Sequence, residues 1–517
     1  MNFLNRCNCF LFFLCLLFSA TVSVAEENYP VHPSQTNQLQ NQVDDLNNQL
    51  DIRAMEADGL KSAIKDQQEQ IDMLKTNIAS VYKQTISDAG VIEKYKLGNS
   101  VYLQTSYYDL VRENNMTDEK HSDNAFTNLL DLKFSGQPTN EIQFHTTLSM
   151  YKLWGTWNTP ADVMSSDFSY SGKPSDSGVK VKRGYVDYRP DWLDQYVNLT
   201  FGRLPTSDGY LTSYRYNRPV QTSYPDLGFS AESDGIGLTF YFENPVAKSI
   251  NLIYARSEDD TDAYPFQKDQ YGLDDIDFYA VQANGELPMG SDSTALSFQW
   301  LRVDNIRPTG DDQIRDMIAY YKLPIQSISF PDQLGCLDKL TFQMDNNRVF
   351  DSPVDFFASV AWSSTNTSKD QVMVNGQPFD PSILPADLQK YTRYLYLLSP
   401  DNQESHDGYA VYAGLRYNFE IDALRNPKLG FEYFTGSEYW VGLNVSATDP
   451  YQKLNTRGDV WEVYWIQPFV EKMLQMRTGY QVIQRDYTES LLAGLYGPAD
   501  TTDEDDTLFY MSLDFIF

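Results

Sequence analysis

The chain has 517 residues, with 71 Asp and Glu against 40 Lys and Arg, and its formal net charge of −31 excludes a nucleic-acid binder. It is 14% aromatic with 36 Tyr. Beyond the first residues no apolar run reaches about 18, which excludes a bundle of membrane-spanning helices.

Residues 1–25 read as a secretory signal peptide. Arg6 sits in a polar start, Cys7 to Val24 is largely apolar, and Ser23-Val24-Ala25 supplies small residues for cleavage before Glu26. Leu14 before Cys15 argues against a lipoprotein signal. Cleavage removes three of the four cysteines. Cys336 is then a lone free thiol, and no disulfide framework is expected. Residues 26–36 read as a disordered N-terminus.

From Leu39 to Val81 the core positions step by four and three: Leu39, Val43, Leu46, Leu50, Arg53, Ala57, Leu60, Ile64, Gln67, Ile71, Leu74, Ile78 and Val81. Only Arg53 and Gln67 interrupt the apolar seam. A sustained heptad repeat predicts an α-helical coiled coil over 37–84, a rod of about 65 Å. It cannot bury its seam alone, so an oligomer is expected; Ile71 with Leu74 leans toward two strands, while the polar Arg53 and Gln67 break the seam and leave dimer against trimer open. Residues 85–98, with Gly90 and Gly98, read as a hinge.

Over 99–517 the period changes to two. In the third strand Ile142, Phe144, Thr146, Leu148 and Met150 share one face, and Gln143, His145, Thr147 and Ser149 share the other. A polar face must meet water, and the apolar face then meets lipid or a second sheet. About 16 strands are predicted, starting near 100, 126, 141, 180, 195, 235, 249, 275, 293, 339, 355, 408, 428, 459, 474 and 507. Connections after even strands are short, and each carries a proline: Pro138, Pro190, Pro245, Pro288, Pro353, Pro427 and Pro468. Connections after odd strands are long. A sandwich has no reason for that asymmetry, whereas an outer-membrane barrel does. The fold class expected is therefore an all-β transmembrane barrel of antiparallel strands. An even strand count places both barrel ends, and the coil, in the periplasm. Sixteen strands leave an aqueous channel.

The final stretch, "LFYMSLDFIF", aligns Phe509, Met511, Leu513, Phe515 and Phe517 on one face. It resembles the assembly signal of outer-membrane barrels, which implies that Phe515 and Phe517 meet the barrel insertion machinery. Earlier, "TFGRLPTSDGY" (200–210) ends a strand on Gly-Arg and opens a long loop. "FGR" before a loop with Gly and Tyr resembles general trimeric porins. That resemblance implies that loop 204–234 folds inward and narrows the pore, with Gly202 allowing the turn. Its candidate constriction residues are Arg203, Asp208, Arg215, Arg218, Asp226, Glu232 and Asp234. Opposed acids and bases across a wet passage would screen solutes by charge and size. The alternative is an ordinary external loop. The stretches "RGYVDYRP", "FGRLPTSDG" and "GFEYFTGSEYW" also resemble a porin-like bacterial family without an assigned substrate, with a coil before the barrel. Porins with a periplasmic coil form trimers, so the resemblance implies a homotrimer.

Parity along the strands puts Arg183, Asp187, Arg189, Arg416, Glu462, Arg477 and Arg485 on the lumen wall. The acidic runs Glu258 to Asp262 and Asp503 to Asp506 lack the spacing of a calcium loop and read as solvated charge. No metal and no cofactor are expected. The four histidines, His32, His121, His145 and His406, form no nucleophile arrangement, and Ser405-His406 is adjacency only, so no enzyme is expected. The function expected is an outer-membrane channel for passive diffusion of small hydrophilic solutes or ions, in contact with outer-membrane lipid and lipopolysaccharide. Its net charge hints at cation preference. The competing reading is a structural tether whose barrel is an anchor and whose coil binds peptidoglycan or a periplasmic protein. A siderophore-type receptor would need a plug domain before the barrel, and a passenger trimer would have far fewer strands. A cytochrome-conducting sheath is a variant of the channel.

Overall fold

The computed structural model describes residues 97–153, 179–193, 196–218, 220–258, 276–289, 292–306, 327–380, 402–444, 451–470, 473–489 and 499–517, with a few isolated residues besides. The expected signal peptide, the N-terminus 26–36, the coiled coil (helical Lys65 aside) and most of the hinge lie outside them. So does nearly all of the acidic run from Glu258.

Sixteen antiparallel strands form a closed barrel. They are β1 Gly98–Asn114, β2 Glu119–Gly136, β3 Ile142–Leu153, β4 Lys180–Tyr188, β5 Val197–Leu204 and β6 Ser233–Tyr241. Next come β7 Ala247–Glu258, β8 Ile276–Met289, β9 Asp292–Ile306, β10 Gly335–Asn346 and β11 Val354–Thr367. The last are β12 Asp407–Asn418, β13 Lys428–Gly436, β14 Arg457–Val470, β15 Leu474–Tyr487 and β16 Thr501–Ile516. Each pairs with its chain neighbours, and β1 closes on β16 from Tyr102↔Ile516 to Asn114↔Glu504.

The alternation read from the sequence sorts inside from outside. On β3, Thr147 and Ser149 are buried toward the interior while Ile142 is exposed outside. Around the barrel Phe201, Ile236, Leu252, Val281, Phe298, Phe342, Val360, Leu415, Phe431, Val463 and Met511 form an exposed apolar band. At roughly 25 cal/mol per Å² such a band is stable only against lipid. Aromatic hydroxyls mark its edge toward the long loops. Tyr254 donates to Asp277 (3.0 Å) and Tyr433 to Asp459 (2.6 Å), each at the first outward charge. Tyr188, Tyr417 and Trp465 lie on the same outer face near the short turns.

Four expectations about the strands need correction. The first two strands are joined by a tight turn, 115–118, not a long loop. β2 begins at Glu119 rather than near 126 because its outer half is polar and exposed, so no apolar alternation marks it. β16 likewise starts at Thr501, six residues early, through an acidic stretch. Pro288 and Pro468 lie within β8 and β14, and not in turns. At Pro468 the pairing slips at a bulge, which accommodates a residue without a backbone donor.

The band predicts a simple fluorescence contrast. Trp362 faces outward on β11, whereas Trp440 is wholly buried inside. In vesicles with brominated acyl chains, a variant keeping only Trp362 is strongly quenched. One keeping only Trp440 is not.

Candidate functional site: a loop across the barrel

The loop 205–232 leaves β5 at Gly202, whose φ is +121°. A Cβ there would stand 2.3 Å from the Gly184 carbonyl oxygen on β4, so only glycine fits. Past Leu204 the chain turns into the lumen, where a short helix α1, Tyr210–Arg215, is buried along nearly its whole length. Asp226, returning from the far side of the loop, closes its start. It accepts from the Leu211 amide (3.1 Å) and from the Thr212 hydroxyl (2.7 Å).

The loop touches the wall on opposite sides. Gln221 accepts from Lys133 on β2 (2.8 Å) and Arg183 on β4 (3.1 Å). Gln282 on β8 donates to the Ser223 carbonyl (2.7 Å), and the Asp226 amide donates to Gln343 on β10 (3.2 Å). Tyr214 donates to the Asp355 carbonyl on β11 (3.2 Å), and Arg215 donates to Tyr412 on β12 (2.8 Å). Gln475 on β15 donates to the Tyr216 carbonyl (2.6 Å).

Two charge networks hold the two sides. Near β2 and β4, Arg183 and Lys182 meet Asp208 at 2.8 and 3.1 Å, and Asp131 and Glu232 complete the cluster at 3.7 Å from Lys182 and 3.5 Å from Arg183. Burial alone would raise the Asp208 carboxyl, but Lys182, then Arg183, outweigh it and hold it far below the usual carboxylate range. On the other side Lys453, from the connection 437–456, bridges Glu432 on β13 and Glu462 on β14 at 2.5 Å each. Arg215 reaches Glu432 (3.4 Å) and Asp449 (3.5 Å). At Asp226 burial outweighs the Thr212 hydrogen bond, the Arg215 charge and the Leu211 amide, and pushes its carboxyl up to about 6.

Arginines and tyrosines stack in a column between loop and wall. Arg218 lies 4.4 Å from the Tyr102 ring on β1 and 4.8 Å from Tyr216. Arg477 on β15 lies 4.2 Å from Tyr216 and 4.5 Å from Tyr510 on β16. The order is Tyr102, Arg218, Tyr216, Arg477, Tyr510.

The connection 437–456 enters the barrel too. The Ser230 amide donates to the Leu443 carbonyl (3.0 Å), so the two loops pair through their backbones. On the side of β7 to β10 the inner wall near the long loops is apolar, with Ala255, Phe278, Ala280, Leu301, Val303 and Leu337. Phe229, Val372, Val374, Phe379, Leu398, Val441 and Leu443 pack against it. Among the described residues this side of the interior is a packed apolar core. At the short-turn end a cavity of about 790 Å³ remains, lined by loop and wall.

The sequence-derived candidates divide. Asp208, Arg215, Arg218, Asp226 and Glu232 lie on the inward loop, and Arg183, Asp187, Arg416, Glu462, Arg477 and Arg485 are buried on the inner wall. Arg189 faces inward over the Tyr241 ring at 5.8 Å. Arg203 and Asp234 do not face the lumen. Strand parity turns both outward, where they pair at 3.2 Å. Asp506 is not solvated charge either. It is buried between Arg112 (2.8 Å) and Arg485 (2.5 Å). Sequence reading missed Lys182, Lys453, Glu432 and the tyrosines of the column. Lys182 turns inward beside Arg183 because a bulge opposite Thr147 and Leu148 breaks the parity. Phe515 pairs with Leu103 and Leu474, and Phe517 with Val101 through its backbone. Cys336 is half-buried and accepts from Arg302 (3.2 Å). The described residues contain no cluster suited to a metal.

These features define a closed sixteen-strand barrel with an apolar outer band and an interior crossed by its own loops. Residues 119–505 match the family described as "Protein of unknown function (DUF3373)", and the chain belongs to it. No curated protein matches it. Among solved structures it is similar to OprB of Pseudomonas putida, at 10% identity and TM-score 0.47, over 83% of this chain and 96% of that one. It is also similar to an anion-selective porin from Comamonas acidovorans, at 10% identity and TM-score 0.44, over 81% of this chain and all of that one.

Gly202→Val should lower the melting temperature in detergent sharply, since it combines a backbone clash with a strained φ worth about 1–3 kcal/mol or more. Asp226 carries a pH signature. Its folded-state value lies above the ordinary 3.8, so its contribution is full below about pH 4 and is lost as pH rises through about 6. Relative to wild type, Asp226→Asn should therefore gain stability between pH 4.5 and 7.5, by at most about 3 kcal/mol. Melting curves at both values check it.

Proposed function

We propose that the protein is an outer-membrane channel for passive diffusion of small hydrophilic solutes or ions, narrowed by loop 205–232. One observation carries the reading: a loop bearing Asp208, Arg215, Arg218, Asp226 and Glu232 crosses the interior of a closed barrel between opposed charge networks. Fixed charges of both signs beside a narrow passage select by size and charge. The apolar outer band and the asymmetry of turns and loops support the membrane and orientation. On this reading the short turns and the coiled coil 37–84 are periplasmic, the coil joins three copies, the terminal Phe515 and Phe517 address the insertion machinery, and the barrel has no enzymatic role.

The packed core beside β7 to β10 favours a second reading. A barrel largely filled by its loops can serve as a membrane anchor, with the coil tethering the envelope through peptidoglycan or a periplasmic partner.

Planar-bilayer recording of the full-length protein separates them. The channel reading expects small, steady conductance steps in groups of three, several-fold larger in Arg215→Ala, where the loop loses its hold on Tyr412, Glu432 and Asp449. An intact but silent barrel overturns the channel and supports the anchor.

A further inference from the structure

The 790 Å³ cavity at the short-turn end is lined by four basic residues, Arg218, Arg416, Arg425 and Lys428, against two acids, Asp345 and Asp422. The four are not equivalent. Arg416 is saturated: it grips Asp355 through Nε (2.9 Å) and Nη2 (2.7 Å) and also donates to the Tyr214 carbonyl. Arg218 is not. Tyr102 and Tyr216 cover the faces of its guanidinium, and the carboxylates of Asp208 and Asp514 act on it through space without forming an ion pair. Its Nε is buried and bonded to no protein group. Lys428 donates to the neutral Asn217 side chain (2.7 Å) and keeps two further donors. Arg425 ends the 3-10 turn Asp422–Leu424, three residues before Lys428 at the end of the same connection.

We infer that this cavity is a binding site for a small oxyanion, a carboxylate- or phosphate-bearing solute, held by Arg218, Lys428 and Arg425. A stacked guanidinium whose Nε–H has no protein partner can recognise an oxyanion in its plane. Lys428 and Arg425 supply point charges at the mouth, and Asn217, Ser213 and Gln475 supply neutral polar neighbours. The local sign opposes the chain's net charge of −31. With Arg416 neutralised by Asp355, the bases left to meet an anion here are Arg218, Lys428 and Arg425. The inference deepens the channel reading by naming its solute class, but binding itself does not depend on conduction.

The test is isothermal titration of the full-length protein in detergent at low ionic strength, with inorganic phosphate and with succinate as separate probes. Saturable binding of either anion is expected, at least tenfold weaker in Arg218→Gln. Because Arg218 also holds the loop, the double variant K428Q/R425Q, which leaves the stacked column intact, is measured beside it and should weaken binding at least fivefold. Binding that is absent, or unchanged in the double variant, overturns the site. Conductance recorded on the same preparations keeps the two readings apart. A conducting barrel that binds neither anion sinks the site and leaves the channel. A silent barrel that binds one sinks the channel and leaves the site.

Discussion

Everything in this molecule depends on the pairing of β1 with β16. A sheet in hydrocarbon cannot leave an edge, because every unpaired amide and carbonyl there costs several kcal/mol. Thirteen register pairs from Tyr102 to Asn114 close the ladder and turn a sheet into a container. Only a closed wall separates lipid from interior, and only an enclosed interior can hold buried charges in water or in reach of one another. The apolar band outside and the polar networks inside are two results of that one closure.

The interior shows how charge is stored in a confined space. Lys453 is almost fully buried and would be prohibitive alone, but it sits between two carboxylates, which are themselves met by Arg215 and Tyr510. Removing one member of such a network leaves its partner uncompensated, which typically costs 3–5 kcal/mol. The charges thus fix where the loop lies. The apolar packing beside β7 to β10 complements them: it fastens Phe229, Val441 and Leu443 of the loops to the wall.

Much of the barrel was legible because lipid imposes a period of two that sequence cannot hide. Strand number, the alternation of short and long connections and the inward parity of Arg183, Arg416 and Glu462 follow from that period. What failed did so where the period stops applying. The outer half of β2 leaves the membrane and needs no apolar face, so His121 to Asn124 looked like a loop. Arg203 was drawn to the pore by its neighbour Gly202, but parity, had it been counted through Phe201, turns it outward. Lys182 escaped because a bulge is a feature of two strands at once. Lys453 lies more than 200 residues from Arg215 in sequence, and no local signal joins them. The packed core was invisible because Phe229 and Val441 belong to loops, where apolar residues have no period to betray a partner.

The column of tyrosines and arginines has a further consequence, for the order of assembly. Tyr102 comes from the first strand and Tyr510 from the last, with the loop's Arg218 and Tyr216 and the wall's Arg477 threaded between them. Until the final strand arrives, the stack lacks Tyr510 and the wall that brings Tyr102 beside it is open. The loop therefore completes its docking only after the two ends of the chain have met, and its seating is a readout of a finished wall. An incomplete barrel would carry an unfastened loop, exposed to proteases, while a completed one locks it away.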